Sequence, residues 1–560
     1  MDVGIIEADV LVVGGGAAAV RAAIEAGQQG CRTAVVSKGP VGKSGASPMA
    51  GGAMMAALGL ADPRDNPQAH FEDTVAGGIG LADQGLVRTL CEEAPARALE
   101  LREYGVDFYA KDGQIVQTKE PGHRYPRSVR ALGGGVAIMV PLRRQAGRNR
   151  NLFFYEDVMA LRLLVDDGRA VGVLAFDIKQ GRLVAFIAPA TILATGGYQD
   201  LYPTSDAAPD ATGDGYAMAL EASAELVDME MLLYYPTALD HPPSARGILM
   251  SYEYFLARRG MAAHLVNAAG EDILADDEPL PTRDVLSRRI FEHVRGGKGT
   301  PRGGVYIDFS RCPYSADEQE SFFKSRTPVT FQLLSALGIP MVNSRLEVAP
   351  AAHYVLGGIR IDSRCETSVP GLFAAGEVAG NVHGANRLAG NAISETQVFG
   401  RRAGHYAAQF CRDNARPRLP RELVARAATQ IAKMAEPKAK PEAPVAIKGA
   451  IRQIMLEYAG TVRTEEQIEE GLRRLERIAE DRLPSMHVPS QPEAFNYSLV
   501  EALEAQTMAT VGRLVCQAAL LRRESRGHHF RADYPNELDP VSRTSLRVSS
   551  GEVVGALYPV

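Results

Sequence analysis

The sequence predicts an α/β fold built on a parallel sheet, interrupted by a mixed α+β segment and followed by a helical region. Three observations carry that prediction. Residues 9 to 36 run strand, glycine turn, helix, strand, the first half of a nucleotide-binding βαβ unit. A second apolar strand, Ala190-Thr-Ile-Leu-Ala194, leads into another glycine turn, Thr195-Gly-Gly197. After about residue 415 the texture changes to charged segments such as Thr464 to Ile478, with apolar positions at helical spacing.

Within the first unit, Asp9-Val-Leu-Val-Val13 forms the strand, Gly14-Gly-Gly16 the turn, an alanine-rich stretch to Gly27 the helix, and Thr33-Ala-Val-Val36 the next strand. From about 235 to 349 the composition is mixed and rich in proline-bearing turns, as expected of a separate lid. Residues 351 to 400 return to glycine-rich character. The resulting division is 1–234 with 350–418, then 235–349, then 419–540, with a short tail at 541–560 in which Ser545 to Val560 forms a closing strand. Glu436 to Pro444, with three prolines, reads as a loop inside the helical part.

Composition narrows the function. The 560 residues suffice for several domains, and 55 glycines imply many tight turns and close backbone approaches. A net charge of -6 with dispersed Lys and Arg offers no footprint for nucleic acid. Cys31, Cys91, Cys312, Cys365, Cys411 and Cys516 form no C-x-x-C pair and have no histidine at ligand spacing, so they read as reduced thiols of a cytoplasmic protein. A metal site or an iron–sulfur cluster held by this chain alone is not expected. The apolar run Ala46 to Ala61 is too short and too broken by Gly and Pro to span a bilayer, so no transmembrane segment is expected.

Gly14-x-Gly16-x-x-Ala19 directly after a strand lets the chain turn tightly and lets backbone approach a pyrophosphate at the helix N-terminus. At the end of the second strand Ser37-Lys38 stand in place of the acidic residue that usually meets a ribose, which argues against NAD.

More motifs follow in order: Ala194-Thr-Gly-Gly197, Thr212-Gly-Asp-Gly215, His353-Tyr354 with Gly357-Gly-Ile359, Gly371-Leu-Phe-Ala-Ala-Gly-Glu377, His383-Gly-Ala-Asn-Arg-Leu388, Ala459-Gly-Thr-Val-Arg463, Glu524-Ser-Arg-Gly527 and Asp533-Tyr-Pro535. Together with the first turn and Val36-Ser-Lys38, this set resembles the flavoprotein subunits of succinate dehydrogenase and fumarate reductase, a family that includes L-aspartate oxidase. The resemblance runs from about residue 8 to 536. It implies an FAD-binding Rossmann-like domain with an inserted α+β capping domain and a C-terminal helical domain.

By that resemblance Gly14, Gly16, Ala17, Ala19, Ser37, Lys38, Ser44, Gly45, Gly51, Gly52, Ala194, Thr195 and Gly196 surround FAD. Asp214 and Glu377 meet its adenosine and ribityl parts, and the helix following Asn391, with Ala392 and Ile393, points its N-terminus at the flavin ring. Many family members bond FAD covalently through a histidine; Gly45 stands at the aligned position, so non-covalent FAD and a weaker oxidant are implied.

The resemblance also implies chemistry at a carbon beside a carboxylate. Arg283 matches the proton donor and acceptor, and His353 and Arg387 match the clamp on one carboxylate, a task that suits a guanidinium fork. Read one by one, Arg283 equally pairs with Asp284, and His353 equally sits satisfied in a core. The sequence departs from the family at the other end of the pocket. Tyr235 replaces a substrate-binding histidine, to pack or to donate one hydrogen bond. A gapless alignment through Asn267 and Gly270-Glu271 sets Phe255 and Leu256 in place of a threonine and a glutamate, with Arg259 retained.

A carboxylate buried against Phe255 and Leu256 would lack donors, which predicts a substrate with an apolar distal group rather than plain succinate or fumarate. The alternative is that a shifted loop supplies His123, Arg124 or Arg127 and a dicarboxylate still binds. The expected activity is an FAD-dependent enoate reductase or carboxylate dehydrogenase acting on a small carboxylate, with an iron–sulfur subunit or a diffusible acceptor carrying electrons. Two readings compete with it: an L-aspartate oxidase-like amino acid oxidase, and a flavin-carrying subunit that only transfers electrons.

Overall fold

A computed structural model describes residues 3–258, 260–274, 280–434, 436, 438–489 and 494–560. Its centre is a five-stranded parallel sheet in the order Leu372–Ala374, Ala190–Leu193, Val10–Val13, Thr33–Ser37, Leu152–Glu156. Val10–Val13 and Ala190–Leu193 are buried along their whole length, as expected of parallel strands covered on both faces. The strand that follows the long insertion therefore pairs directly with the first one.

The helix Ala17–Gln28 leaves the first strand and lies against the long helix Asn391–Asp413. At two points glycines of the long helix bring the two backbones together. A Cβ on Gly400 would come within 2.7 Å of the Ala18 carbonyl oxygen, and one on Gly404 within 2.3 Å of that of Ala22. Gly14 makes a comparable approach at φ +128, where a Cβ would meet the Ala194 carbonyl oxygen at 2.1 Å. These glycines let the two helices and the two strand ends close on one another and fix where the long helix begins.

Beside the central sheet, Val158–Asp166, Arg169–Asp177 and Arg182–Ile187 form an antiparallel meander that Gly4–Glu7 extends in parallel. The lid has a four-stranded antiparallel sheet in the order Leu232–Leu239, Arg345–Val355, Val305–Asp308, His264–Val266, and a core of its own. Phe255, Phe309 and Phe323 meet edge to face there, with ring centroids 5.2 to 5.8 Å apart.

The helices Pro444–Ala459, Glu465–Arg477 and Tyr497–Leu521 pack together in the C-terminal part. Lys38 ties this part to the nucleotide domain: its Nζ donates to Thr212 Oγ1 at 3.0 Å, Asp214 Oδ2 at 3.0 Å and Glu504 Oε1 at 2.8 Å. The tail is a hairpin of two strands, Ser542–Ser549 and Glu552–Pro559, rather than a single closing strand. Its first strand pairs with Leu226–Val227, which pairs in turn with Gly358–Ile359, in a separate four-stranded sheet. Among the described residues, no helix is long and apolar enough to cross a membrane.

Replacing Gly404 by Val forces the two helices apart, because the atom it meets is backbone. We expect a loss of roughly 1–3 kcal/mol, read as a lower denaturation midpoint of the purified protein.

Candidate functional site

The carboxyl ends of the central strands open into one cavity of about 590 Å³ that runs under the lid. Its walls include Gly14, Gly16, Ala17, Ser37, Lys38, Ser44, Gly45, Gly51, Gly52, Ala194, Thr195, Gly196, Asp214, Glu377, Ala392 and Ile393, as the sequence led us to expect. Ala19 and Asn391 are exceptions. Ala19 is buried inside the first helix. The Asn391 side chain turns away from the cavity, accepting from His70 Nε2 at 2.9 Å and donating to Thr74 Oγ1 at 3.2 Å, and so pins the start of the long helix from behind.

The cavity suits a dinucleotide flavin. A Cβ on Gly45 or Gly196 would meet no protein atom within 4 Å, so bare backbone faces open space there. Thr195 Oγ1 is buried on the wall without a hydrogen-bond partner. Two helices, Ala17–Gln28 and Asn391–Asp413, begin at the wall, and their first N–H groups and dipoles favour anionic groups. Asp214 meets the cavity with its carboxylate already paired to Lys38. Burial pushes the Glu377 carboxyl up to about 8, against its ordinary 4.5, while the Val355 N–H and Gln199 donate to it and pull the other way.

Under the lid, Tyr235, Arg283, His353 and Arg387 stand on the same cavity. His353 Nδ1 lies 2.6 Å from Asp206 Oδ2, and its Nε2 lies 3.1 Å from Arg387 Nη2. A guanidinium only donates, so Nε2 accepts and the ring proton sits on Nδ1, donated to Asp206. The imidazole is neutral in this arrangement. Burial lowers its proton affinity, and Asp206 only partly offsets that. Burial likewise lowers that of Arg387.

Arg283 is held differently. Its Nη2 donates to Glu253 Oε1 at 2.9 Å, while the Tyr235 hydroxyl donates to Glu253 Oε2 at 2.6 Å. The guanidinium also covers the Tyr235 ring, 4.9 Å from its centroid. Burial works against the charge on Arg283, but Glu253 and the Tyr235 and Tyr252 phenols outweigh it and hold its proton affinity above the ordinary value.

Glu253, Asp206 and Ser251 are wall residues that sequence reasoning missed, and Glu253 corrects it. Phe255 and Leu256 do not reach the cavity. Both are buried in the lid's own core, where Phe255 packs on Phe309 and Phe323. The carboxylate on this wall comes from Glu253 on the short helix Tyr252–Phe255, three residues before the position at which the gapless alignment set the family's glutamate. The acid in Ser251-Tyr-Glu-Tyr254 was the available signal, once a gap is allowed. With Phe255 and Leu256 removed from the pocket, the reason for excluding a dicarboxylate goes too. Arg259 lies outside the described residues.

His123 and Arg127 also prove to be behind the wall. Arg127 is fully buried between Asp65 and Asp73, at 2.9 Å from each. His123, whose imidazole burial pushes down to about 4, approaches Arg127 and the Ala389 carbonyl. Arg124 pairs with Glu72 and Asp73. His123 thus touches the loop before the long helix, while Arg124 and Arg127 fasten their segment to the helix Pro67–Gly77 and the residue Asp65 before it. Arg283 pairs with Glu253 and not with Asp284, its neighbour in the chain.

A carboxyl with a folded value near 8 and an ordinary value of 4.5 holds its proton in the folded state across an interval where the unfolded chain has released it. Stability from this source is greatest below about pH 4.5 and falls as the pH rises towards 8. In the FAD-free protein we expect Glu377→Gln to flatten that slope, giving a higher unfolding midpoint than the parent at pH 8 and a similar one near pH 4.5.

Comparison with known proteins agrees with this geometry. Residues 9–393 match the family described as FAD binding domain, and residues 448–549 match the fumarate reductase flavoprotein C-terminal family. The chain is 38% identical to a subunit of the fumarate reductase (CoM/CoB) of Methanothermobacter marburgensis, over 96% of this chain and 97% of that one. It is 34% identical to an L-aspartate oxidase of Streptomyces coelicolor, over 97% and 91% of the two chains. Among solved structures it is similar to Mycobacterium smegmatis Sdh1 in complex with UQ1, with a TM-score of 0.91 and 35% identity over 100% of this chain and 94% of that one. The chain therefore belongs to the fumarate reductase and succinate dehydrogenase flavoprotein family, which includes L-aspartate oxidase, and is an FAD-dependent oxidoreductase acting on CH–CH groups.

Proposed function

We propose that the protein reduces the C=C bond of a small unsaturated dicarboxylic acid of the fumarate type. The observation that carries this reading is the pairing of two differently held guanidinium groups in one cavity: Arg387 without a carboxylate partner among the described residues, and Arg283 locked to Glu253. Arg387 and the neutral His353 receive one carboxylate of the acid. Bound FAD supplies the hydride chemistry at one alkene carbon. Arg283 delivers the proton to the other and is left neutral; Glu253, which accepts from both Arg283 and Tyr235, keeps the guanidinium aimed and passes back to it a proton taken up from solvent. Ser251 on the same wall offers a hydroxyl to the distal carboxylate. The likeness to a chain of a fumarate reductase supports the reading.

Gly45 presents no side chain to the flavin, which supports non-covalent FAD and a low-potential site that favours reduction. Electrons reach it from a separate iron–sulfur protein or a diffusible carrier. Among the described residues, no group of three or more His, Cys, Asp or Glu is arranged to hold a metal ion. One observation favours a second reading, oxidation of an amino dicarboxylate as in the L-aspartate oxidase relatives. Glu120 brings a carboxylate to the cavity wall, bonded to Arg130 at 2.9 Å, where an ammonium group would find an acid partner.

Anaerobic enzyme with chemically reduced flavin should be reoxidised by fumarate, and Arg283→Gln or Glu253→Gln should slow that step by roughly 10²- to 10⁴-fold while FAD content is kept. Failure of fumarate, together with flavin reduction by L-aspartate, would select the second reading. Acid precipitation should release all of the FAD into the supernatant; flavin retained on the protein would contradict non-covalent binding.

A further inference from the structure

A buried cation normally requires a partner, because its desolvation is costly unless charge or hydrogen bonds compensate. Arg283 has Glu253. Arg387, the more enclosed of the two, has no acid within ion-pair reach among the described residues: Nη2 meets His353, Nη1 donates weakly to the Leu388 carbonyl at 3.4 Å, and Nε has no partner. What it does have is a ring. Its guanidinium carbon lies 4.4 Å from the centroid of Tyr354.

Tyr354 is itself tied to an acid. Its hydroxyl donates to Glu395 Oε2 at 2.5 Å, and Glu395 is a buried residue of the long helix Asn391–Asp413. His383 Nε2 reaches the same oxygen at 3.0 Å, and its ring meets Tyr354 edge-on, with centroids 5.7 Å apart. Glu395 Oε1 has no partner, so both contacts converge on one oxygen. A phenol that donates to a carboxylate becomes richer in electrons, and a richer ring face binds a cation more strongly. Negative charge thus reaches Arg387 through a π-face rather than through a salt bridge.

We infer that Tyr354 and Glu395 are positioning residues for substrate binding: a relayed counter-ion that holds the Arg387 guanidinium in the cleft while leaving its N–H donors free for the carboxylate of the substrate. A direct salt bridge would occupy the donors that the acid needs. The arrangement separates the two arginines by task, since Arg283 is paired for proton delivery and Arg387 is kept open for binding. The inference rests on Arg387 acting as the carboxylate clamp.

The test uses the FAD-loaded enzyme titrated with malonate, a diacid with no C=C bond to reduce, followed by the change in flavin absorbance. Tyr354→Phe keeps the ring and removes the tie to Glu395; Glu395→Gln keeps an oxygen for both donors and removes the charge; Tyr354→Leu removes the ring. We expect the first two each to weaken malonate about fivefold, and Tyr354→Leu by more than about tenfold. The Tyr354→Phe, Glu395→Gln double variant should be no weaker than either single, because both act through one contact. The KM for fumarate should rise by the same factors, with the loss falling on KM rather than on kcat.

Three outcomes would overturn the inference: tighter malonate binding by Glu395→Gln, which is what loss of a bare anion near a cationic cleft produces; multiplicative effects in the double variant; or a lowered thermal midpoint with unchanged malonate affinity, which marks a purely structural role. Absence of malonate binding by the parent enzyme would instead overturn the clamp reading itself, and the inference with it.

Discussion

Bare backbone contact is the constraint on which the architecture depends. The first strand turns at Gly14 against the end of Ala190–Leu193, and the backbone of the first helix lies directly on Gly400 and Gly404 of the long helix. With the backbones this close at the glycines, the long helix begins at the cavity wall, where His70 and Thr74 fasten Asn391. Both the cradle for FAD and the position of Glu395 follow from that placement. A side chain at any of these glycines would move the helix start and, with it, everything that the helix holds.

The lid supplies the second half of the chemistry. Its own aromatic core takes up Phe255 and Leu256, and that burial turns Glu253 out to the cavity with Tyr235 and Arg283. The cleft then holds two cations in different states. One is neutralised in place and shared with a phenol; the other rests on a ring and an imidazole whose only proton is committed to Asp206. The proposed reaction uses both conditions at once, a donor that stays aimed and a binding cation whose donors are not already used.

Much of this was legible in the residues. The glycine turns at Gly14–Gly16, Gly51–Gly52 and Gly196–Gly197, together with Arg283, His353 and Arg387, fall on one cavity, because a cofactor that threads several strand ends imposes local signatures on each of them. The pocket's distal end was not legible. A gapless alignment assumes that the lid loop has constant length, and it pointed to position 256, whereas the acid on the cavity wall is at 253. His123, Arg127 and Asn391 misled for a related reason: polar residues beside a glycine-rich loop serve the helix behind the wall as readily as the cavity in front of it.

The sequence by itself determined the fold class, the glycine turns at the strand ends and which cationic side chains stand on the cavity, since turns and strand ends are set by residues close together in the chain. Which acid meets which arginine was decided only by tertiary structure. Glu253 lies 30 residues from Arg283, and Glu395 is 41 from Tyr354. Pairings over such separations depend on how the lid and the long helix pack, and packing, not spacing, left Arg283 neutralised and Arg387 open.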